Sequence, residues 1–191
     1  VFRQCGVIEV TRTHDLLNVA MALSMQPPMH GNRVAIVGAS GGFAVAATDY
    51  LEEHGVEVPT FSEELQQRIR READTRAYAS LQNPIDLAAD FRSAPLPKCI
   101  EIALQQDSID GAIAALPASP YPPLDETIRG IERMQAESGK PVLICFYARP
   151  EGVDTIQAMT HRIPVYRSPE EVGVAIASLS QYGAYLARFG A

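Results

Sequence analysis

The sequence predicts a three-layer α/β/α fold around a mainly parallel sheet, and three observations predict it. Short apolar runs alternate with stretches of helical spacing from residue 33 onward. The runs are apolar at consecutive positions, as in strands covered on both faces. The links between them are short and carry Gly, Pro, Asn or Ser, which suits strand–helix–strand crossovers.

The elements follow in order. Arg33–Gly38 (RVAIVG) reads as a buried strand ending in glycine. Ser40 to His54 has helical spacing and stops before Gly55. Val56–Val58 reads as a second strand, and Ser62 opens a polar helix running to about Asp74. Asn83–Leu87 is a strand or a loop edge. Pro95 to Asp107 is helical, with proline in its first turn. Asp110–Leu116 is a clear strand and Leu124 to Glu137 a helix ending before Gly139. Pro141–Phe146 is a buried strand, Val153–His161 a helix, and Pro164–Tyr166 a last strand. Ser168-Pro169-Glu170-Glu171 fits a capping box opening the final helix. Five or so strands with short links suggest the flavodoxin-like layout, whose ligands sit beyond the carboxyl ends of the strands.

The first residues mirror the last. Gly6–Val10 followed by helical Thr13–Leu23 parallels Arg162–Tyr166 followed by Ser168–Leu179. Residues 1–25 therefore read as the closing strand and helix of a preceding domain or connector. Residues 26–32 read as a linker and 33–191 as the main domain. The chain opens at Val1 rather than Met, and the expectation is a piece of a longer protein.

Composition narrows the function classes. Among 191 residues, 16 are basic and 23 acidic, a net charge of −7 that repels a phosphodiester backbone, so no nucleic-acid partner is expected. The two lysines, Lys98 and Lys140, make no cluster for anionic lipid. No apolar run has the length of a membrane span and no signal peptide opens the chain, so a cytoplasmic location is expected. Cys5, Cys99 and Cys145 show neither a disulfide framework nor metal-ligand spacing, and no metal site is expected.

The segment Gly38-Ala39-Ser40-Gly41-Gly42-Phe43-Ala44 sits at a strand-to-helix junction. Glycines there let backbone approach a ligand, and the first helical turn offers unpaired N–H groups at the positive end of the dipole. A phosphoryl oxygen suits that place. Ser40 either caps the helix or donates to the anion. A tight turn needed only for packing is the competing reading. A dinucleotide site is the other rival, since Glu57 lies 19 positions after Gly38. The spacing is nonetheless Gly-x-x-Gly-Gly, and neither lysine has a tyrosine four residues earlier.

Four stretches in order then become specific: Gly31–Gly55, Leu81–Asp90 (LQNPIDLAAD), Gly139–Phe146 (GKPVLICF) and Arg162–Val172 (RIPVYRSPEEV). The chain resembles nucleoside-diphosphate-forming acyl-CoA synthetases, the acetate–CoA ligase (ADP-forming) and succinyl-CoA synthetase superfamily. The opening Val1–Leu23 also resembles the stretch joining two domains in fused members. The resemblance implies that acid, CoA and ATP become acyl-CoA, ADP and phosphate through an acyl phosphate and a phosphorylated histidine. It places that histidine, in a Ser-His-Thr-Gly motif, ahead of this chain. None of His14, His30, His54 or His161 has that context, so no catalytic residue is expected here.

The resemblance implies that the CoA-binding and ATP-grasp parts, with ATP/ADP, Mg and CoA, belong to partner domains or subunits. A small carboxylic acid would be the substrate. This domain would bind no cofactor alone and would be inactive alone; a homo-oligomer stays open. Its own role would be to supply a helix N-terminus facing the phosphohistidine, a role that falls on Ser40, Gly41, Gly42 and Phe43. The family's common Asn-Ala-Gly-Gly-Pro-Gly is here Ala39-Ser40-Gly41-Gly42-Phe43-Ala44, with bulky Phe43 at the third amide. Asn83-Pro84-Ile85-Asp86-Leu87 matches the family's Asn-Pro-x-Asp-Leu. Asn83 and Asp86 either support the glycine turn or only satisfy backbone around a proline-constrained bend. Two other functions stay in view: a small-molecule-sensing, synthetase-like domain of a protein acetyltransferase, and a free-standing flavin binder. Tyr182, Tyr185 and Phe189, at spacings of three and four, read as a packing stripe or a face toward a neighbouring domain.

Overall fold

A computed structural model describes residues 2–90, 92–117, 124–147 and 150–189. Five strands form one parallel sheet: β1 (Val34–Gly38), β2 (Ile85–Asp86), β3 (Gly111–Pro117), β4 (Val142–Tyr147) and β5 (Val165–Tyr166), in the order β2-β1-β3-β4-β5. That is the flavodoxin-like order. Among the described residues seven α-helices accompany them: α1 (Thr13–Met25), α2 (Gly41–Glu53), α3 (Glu63–Glu72), α4 (Pro95–Leu104), α5 (Leu124–Ser138), α6 (Pro150–Met159) and α7 (Pro169–Ala187).

Side-chain alternation along each strand divides the core into two layers. Ala35 and Val37 of β1 face α3, α4, α5 and α6 through Ile69, Ile100, Ile131 and Ile156. Val34 and Ile36 face α1, α2 and α7 through Ala22, Leu51 and Ile176. Both faces of β1, β3 and β4 are therefore buried, which is why those strands lack a polar side in the sequence.

The second strand is a correction. Val56–Val58 makes a single bridge, Arg33 to Glu57, and the strand in that place is Ile85–Asp86. The edge of β1 is served in three pieces. Val34 N–H donates to Glu57 O at 2.8 Å. The Asn83 side chain then accepts from Ile36 N–H at 3.0 Å and donates to Val34 O at 3.0 Å and Pro59 O at 2.9 Å. Ile85–Asp86 completes the edge beside Val37 and Gly38. A carboxamide thus makes the ladder bonds that a longer strand would make.

Gly6–Val10, expected as a strand, is a turn and irregular chain after a short 3-10 turn over Phe2–Cys5. Helix α1 lies along α7. The segment after it is seated in the fold. Gln26 accepts from Val142 N–H at 2.9 Å and donates to Arg162 O at 2.7 Å, while fully buried Met29 donates its N–H to Leu179 O at 3.1 Å. Tyr182, Tyr185 and Phe189 run along the end of α7, with Tyr185 against Gly6 and Phe189 67% exposed. Among the described residues no helix is long and apolar enough to cross a membrane.

Candidate functional site

Strand β1 lies between β2 and β3, and the chain crosses in opposite directions from it, so its carboxyl end is the topological switch point of the sheet. Gly38 closes the strand, and a Cβ there would meet Ala115 Cβ at 2.7 Å. Ser40 follows as the N-cap of α2 with extended backbone (φ −146°) and no side-chain capping bond, so its hydroxyl is not used as a cap. The first bond of the helix runs from Ala44 N–H to Ser40 O at 3.2 Å. The amides of Gly41, Gly42 and Phe43 precede it and have no intrahelical acceptor.

These amides stand at the wall of a pocket of about 600 Å³ lined by Ala39, Ser40, Gly42, Phe43, Ala115 and Cys145, among others. Ser168, Pro169 and Glu170 at the start of α7 close it from β5's side. The pocket is largely apolar, with its polar groups at the two helix starts.

The two glycines of the turn differ. A Cβ on Gly41 would meet Asp86 Oδ2 at 2.9 Å, so a side chain there would have to displace the Asp86 carboxylate. A Cβ on Gly42 would meet nothing within 4 Å. Among the described residues no packing demand explains glycine at position 42. The benzyl group of Phe43 is 8% exposed and packs with Ile113, Ala115 and Tyr166, so its bulk goes into the core.

Charge at the pocket is fixed by local bonds. Glu170 is held below the usual carboxylate range, first by the Ser168 hydroxyl and then by its own backbone N–H. Burial, followed by nearby Glu171 and Glu170, pushes the Cys145 thiol well up, so it stands there as a neutral thiol rather than a nucleophile. Neither lysine lines the pocket: Lys98 pairs with Glu101 at 2.9 Å, and Lys140 donates to the carbonyls of Leu104, Gln106 and Ile109. Among the described residues no His/Cys/Asp/Glu group could hold a metal ion.

Of the residues singled out in the sequence, Ser40, Gly42 and Phe43 line the pocket, and Gly41 lies between them with Asp86 where its side chain would be. Asp86 sits beside the turn, its Oδ1 accepting from Ala88 N–H at 2.8 Å. Asn83 is elsewhere, bonded to the middle of β1. None of His14, His30, His54 or His161 lines the pocket. Sequence reasoning missed Cys145, Ser168 and Glu170 as wall residues. The capping box at Ser168 was visible, but which strand ends share an edge is information that only topology supplies.

The architecture and this pocket define a class: a flavodoxin-like domain with a glycine turn and an open helix start at its switch point. No family model matches the chain. The α subunit of an ADP-forming acetate–CoA ligase II from Pyrococcus furiosus is 29% identical over 187 residues, which are 94% of this chain and 40% of that protein. A solved structure from Pyrococcus horikoshii OT3 superposes with a TM-score of 0.85 at 29% identity, covering 97% of this chain and 43% of that one. The acetyl-coenzyme A synthetase 1 of Ca. Korarchaeum cryptofilum, solved with phosphate and ADP, gives a TM-score of 0.82 at 25% identity over 100% of this chain and 42% of that one. The chain is a flavodoxin-like domain that is similar, over nearly its whole length, to part of the ADP-forming acetate–CoA ligases. It spans about two fifths of the length of these relatives.

Proposed function

We propose that this domain stabilises a phosphorylated histidine, delivered from another domain, by presenting it with the N-terminus of α2. The parent would be an ATP-dependent, ADP-forming acyl-CoA synthetase of the cytoplasm acting on a small carboxylic acid. The observation that carries the reading is Gly42: it lies at a pocket wall beside amides with no intrahelical acceptor, and its missing side chain leaves room that no atom of the described residues fills.

The chemistry is electrostatic. A phosphoryl group on imidazole concentrates negative charge, and amides already fixed by the helix stabilise it without reorganising. The dipole of α2 adds positive potential at the same point. Ser40, free of capping, supplies a hydroxyl donor. This domain moves no proton and forms no bond itself. Nucleotide, Mg and CoA would be handled by CoA-binding and ATP-grasp partners, because the two lysines here are engaged within the fold. Residues 33–191 form the docking domain in this reading, with 1–25 as connector or closing unit of a preceding domain.

The test uses the full-length protein carrying this domain and the 191-residue chain in parallel. With acid, CoA, ATP and Mg, the full protein is expected to form acyl-CoA and ADP and to carry an acid-labile phosphate. The chain alone is expected to form neither. Turnover by the chain alone, or a full protein that binds acyl-CoA without making it, contradicts the proposal.

A further inference from the structure

A phosphoryl pocket made of backbone needs its N–H groups turned inward and its carbonyl oxygens turned away, since a carbonyl dipole repels the anion. The β1–α2 turn meets that requirement by lending its carbonyls to a neighbouring loop. Gly38 O accepts from Leu87 N–H at 2.8 Å and Ala39 O from Ala89 N–H at 3.4 Å. The Leu87 bond continues the β1–β2 ladder, and the Ala89 bond follows two consecutive left-handed alanines, Ala88 at φ +50° and Ala89 at φ +59°. L-residues other than Asn and Asp rarely adopt that conformation, and such backbone persists only where its surroundings over-determine it.

The surroundings do so at both ends. Asp86 fixes the near end: its backbone exchanges both bonds with Ser80, at 2.9 and 3.0 Å, and its Oδ1 takes the Ala88 N–H at 2.8 Å. Asp90 fixes the far end. Its buried carboxylate receives the Arg92 guanidinium at 2.6 Å, which also reaches Asp74 at 2.7 Å. The other oxygen of Asp86 lies 2.9 Å from the Cβ position of Gly41. One side chain thus holds the loop that draws the Ala39 carbonyl aside and occupies the space where the first residue of α2 would carry a side chain.

The geometry points to Asp86 as the positioning residue of the α2 amides, acting through the 87–89 loop and not on the phosphoryl group itself. The inference rests on the docking role proposed above and names what sets the aim of the amides. The acceptor at Oδ1 matters, not the charge.

The experiment follows ATP-dependent histidine phosphorylation and its KM for ATP in the full-length protein. Asp86→Ala frees the loop, and because misplacing a group by an ångström is worth about 10²-fold, phosphoryl transfer is expected to fall by roughly that factor with KM for ATP unchanged. Asp86→Asn keeps a carbonyl acceptor for an Asx turn and is expected to stay within about threefold of the parent protein. Asp86→Ala transferring at the parent rate overturns the inference, and so does Asp86→Asn failing as badly as Asp86→Ala. Gly42→Asp separates the two ideas. If it transfers normally, the docking role itself fails. If it is impaired while Asp86→Ala is normal, only the role of Asp86 fails. Should Asp86→Ala not fold, hydrogen exchange at Leu87 and Ala89 in Asp86→Asn decides. Protected amides with normal transfer support the inference, and unprotected amides with normal transfer overturn it.

Discussion

Replacing Gly42 should make the domain more stable and the protein less active, and opposite signs of that kind are hard to obtain from packing alone. Alanine in a helix is favoured over glycine by about 1 kcal/mol in the interior, and by somewhat less in a first turn. Among the described residues nothing lies within 4 Å of the added Cβ, so no clash with them subtracts from that gain. For a chain of this size the thermal midpoint should rise by about 1–4 °C. Gly42→Asp gains less from propensity, since aspartate ranks just above glycine, but a carboxylate in the first turn adds about 0.3–1 kcal/mol through the helix dipole. Against a docked phosphoryl group the same carboxylate is a like charge. At about 4 Å the repulsion per unit charge runs from about 1 kcal/mol in bulk water to about 4 kcal/mol at the effective dielectric near a protein surface. That range corresponds to a loss of about 5-fold to about 10³-fold in phosphoryl transfer. Thermal unfolding of the 191-residue chain and histidine phosphorylation of the full-length protein read the two effects separately. A Gly42→Asp protein that is less stable, or that phosphorylates as fast as the parent, refutes the reasoning.

Other outcomes follow from the same contacts. Asn83→Ala removes three bonds to the β1 edge and to Pro59 O, and urea unfolding should show a loss of about 2–4 kcal/mol. Gly183→Ala drives a Cβ to 2.0 Å from Met29 O and should lower the thermal midpoint of the chain by roughly 6–12 °C, for overpacking of about 3 kcal/mol. In the native protein only exposed Cys5 should react quickly with a thiol reagent: burial pushes Cys99 up to about 12 and Cys145 higher still, so denaturant should release both. Asp90 is held below the usual carboxylate range by Arg92. Its contribution to stability is therefore complete above pH about 4 and is lost as pH falls through the lowered folded value. Asp90→Asn should make the fall in stability below pH about 4 shallower, as acid titration of thermal unfolding would show.

How far the sequence reveals this molecule depends on where its signals are local. β1, β3 and β4 were legible because both their faces are buried and their residues are apolar at every position. The start of α2 was legible because Ser40-Gly41-Gly42 after an apolar run needs only local geometry to read. The β1 edge was not, since Val56–Val58 has strand chemistry but Asn83 reaches the backbone it would have paired with, from 47 residues beyond Ile36. Gly6–Val10 failed for a related reason: among the described residues no strand lies beside it to complete a ladder, and the Tyr185 ring instead packs against Gly6. At the site, the turn itself was readable, while the wall supplied by Cys145 and Glu170 required the strand order. The distinct reasons for Gly41 and Gly42 required coordinates, because both positions look alike in a string of letters.

The most direct measurement is a structure of the full-length protein trapped with its histidine phosphorylated. Phosphoryl oxygens within hydrogen-bonding distance, about 2.7–3.1 Å, of the Gly41, Gly42 and Phe43 amides are the expected result. A phosphorylated histidine resolved at a different surface, with water or side chains of this domain occupying those amides, contradicts the account.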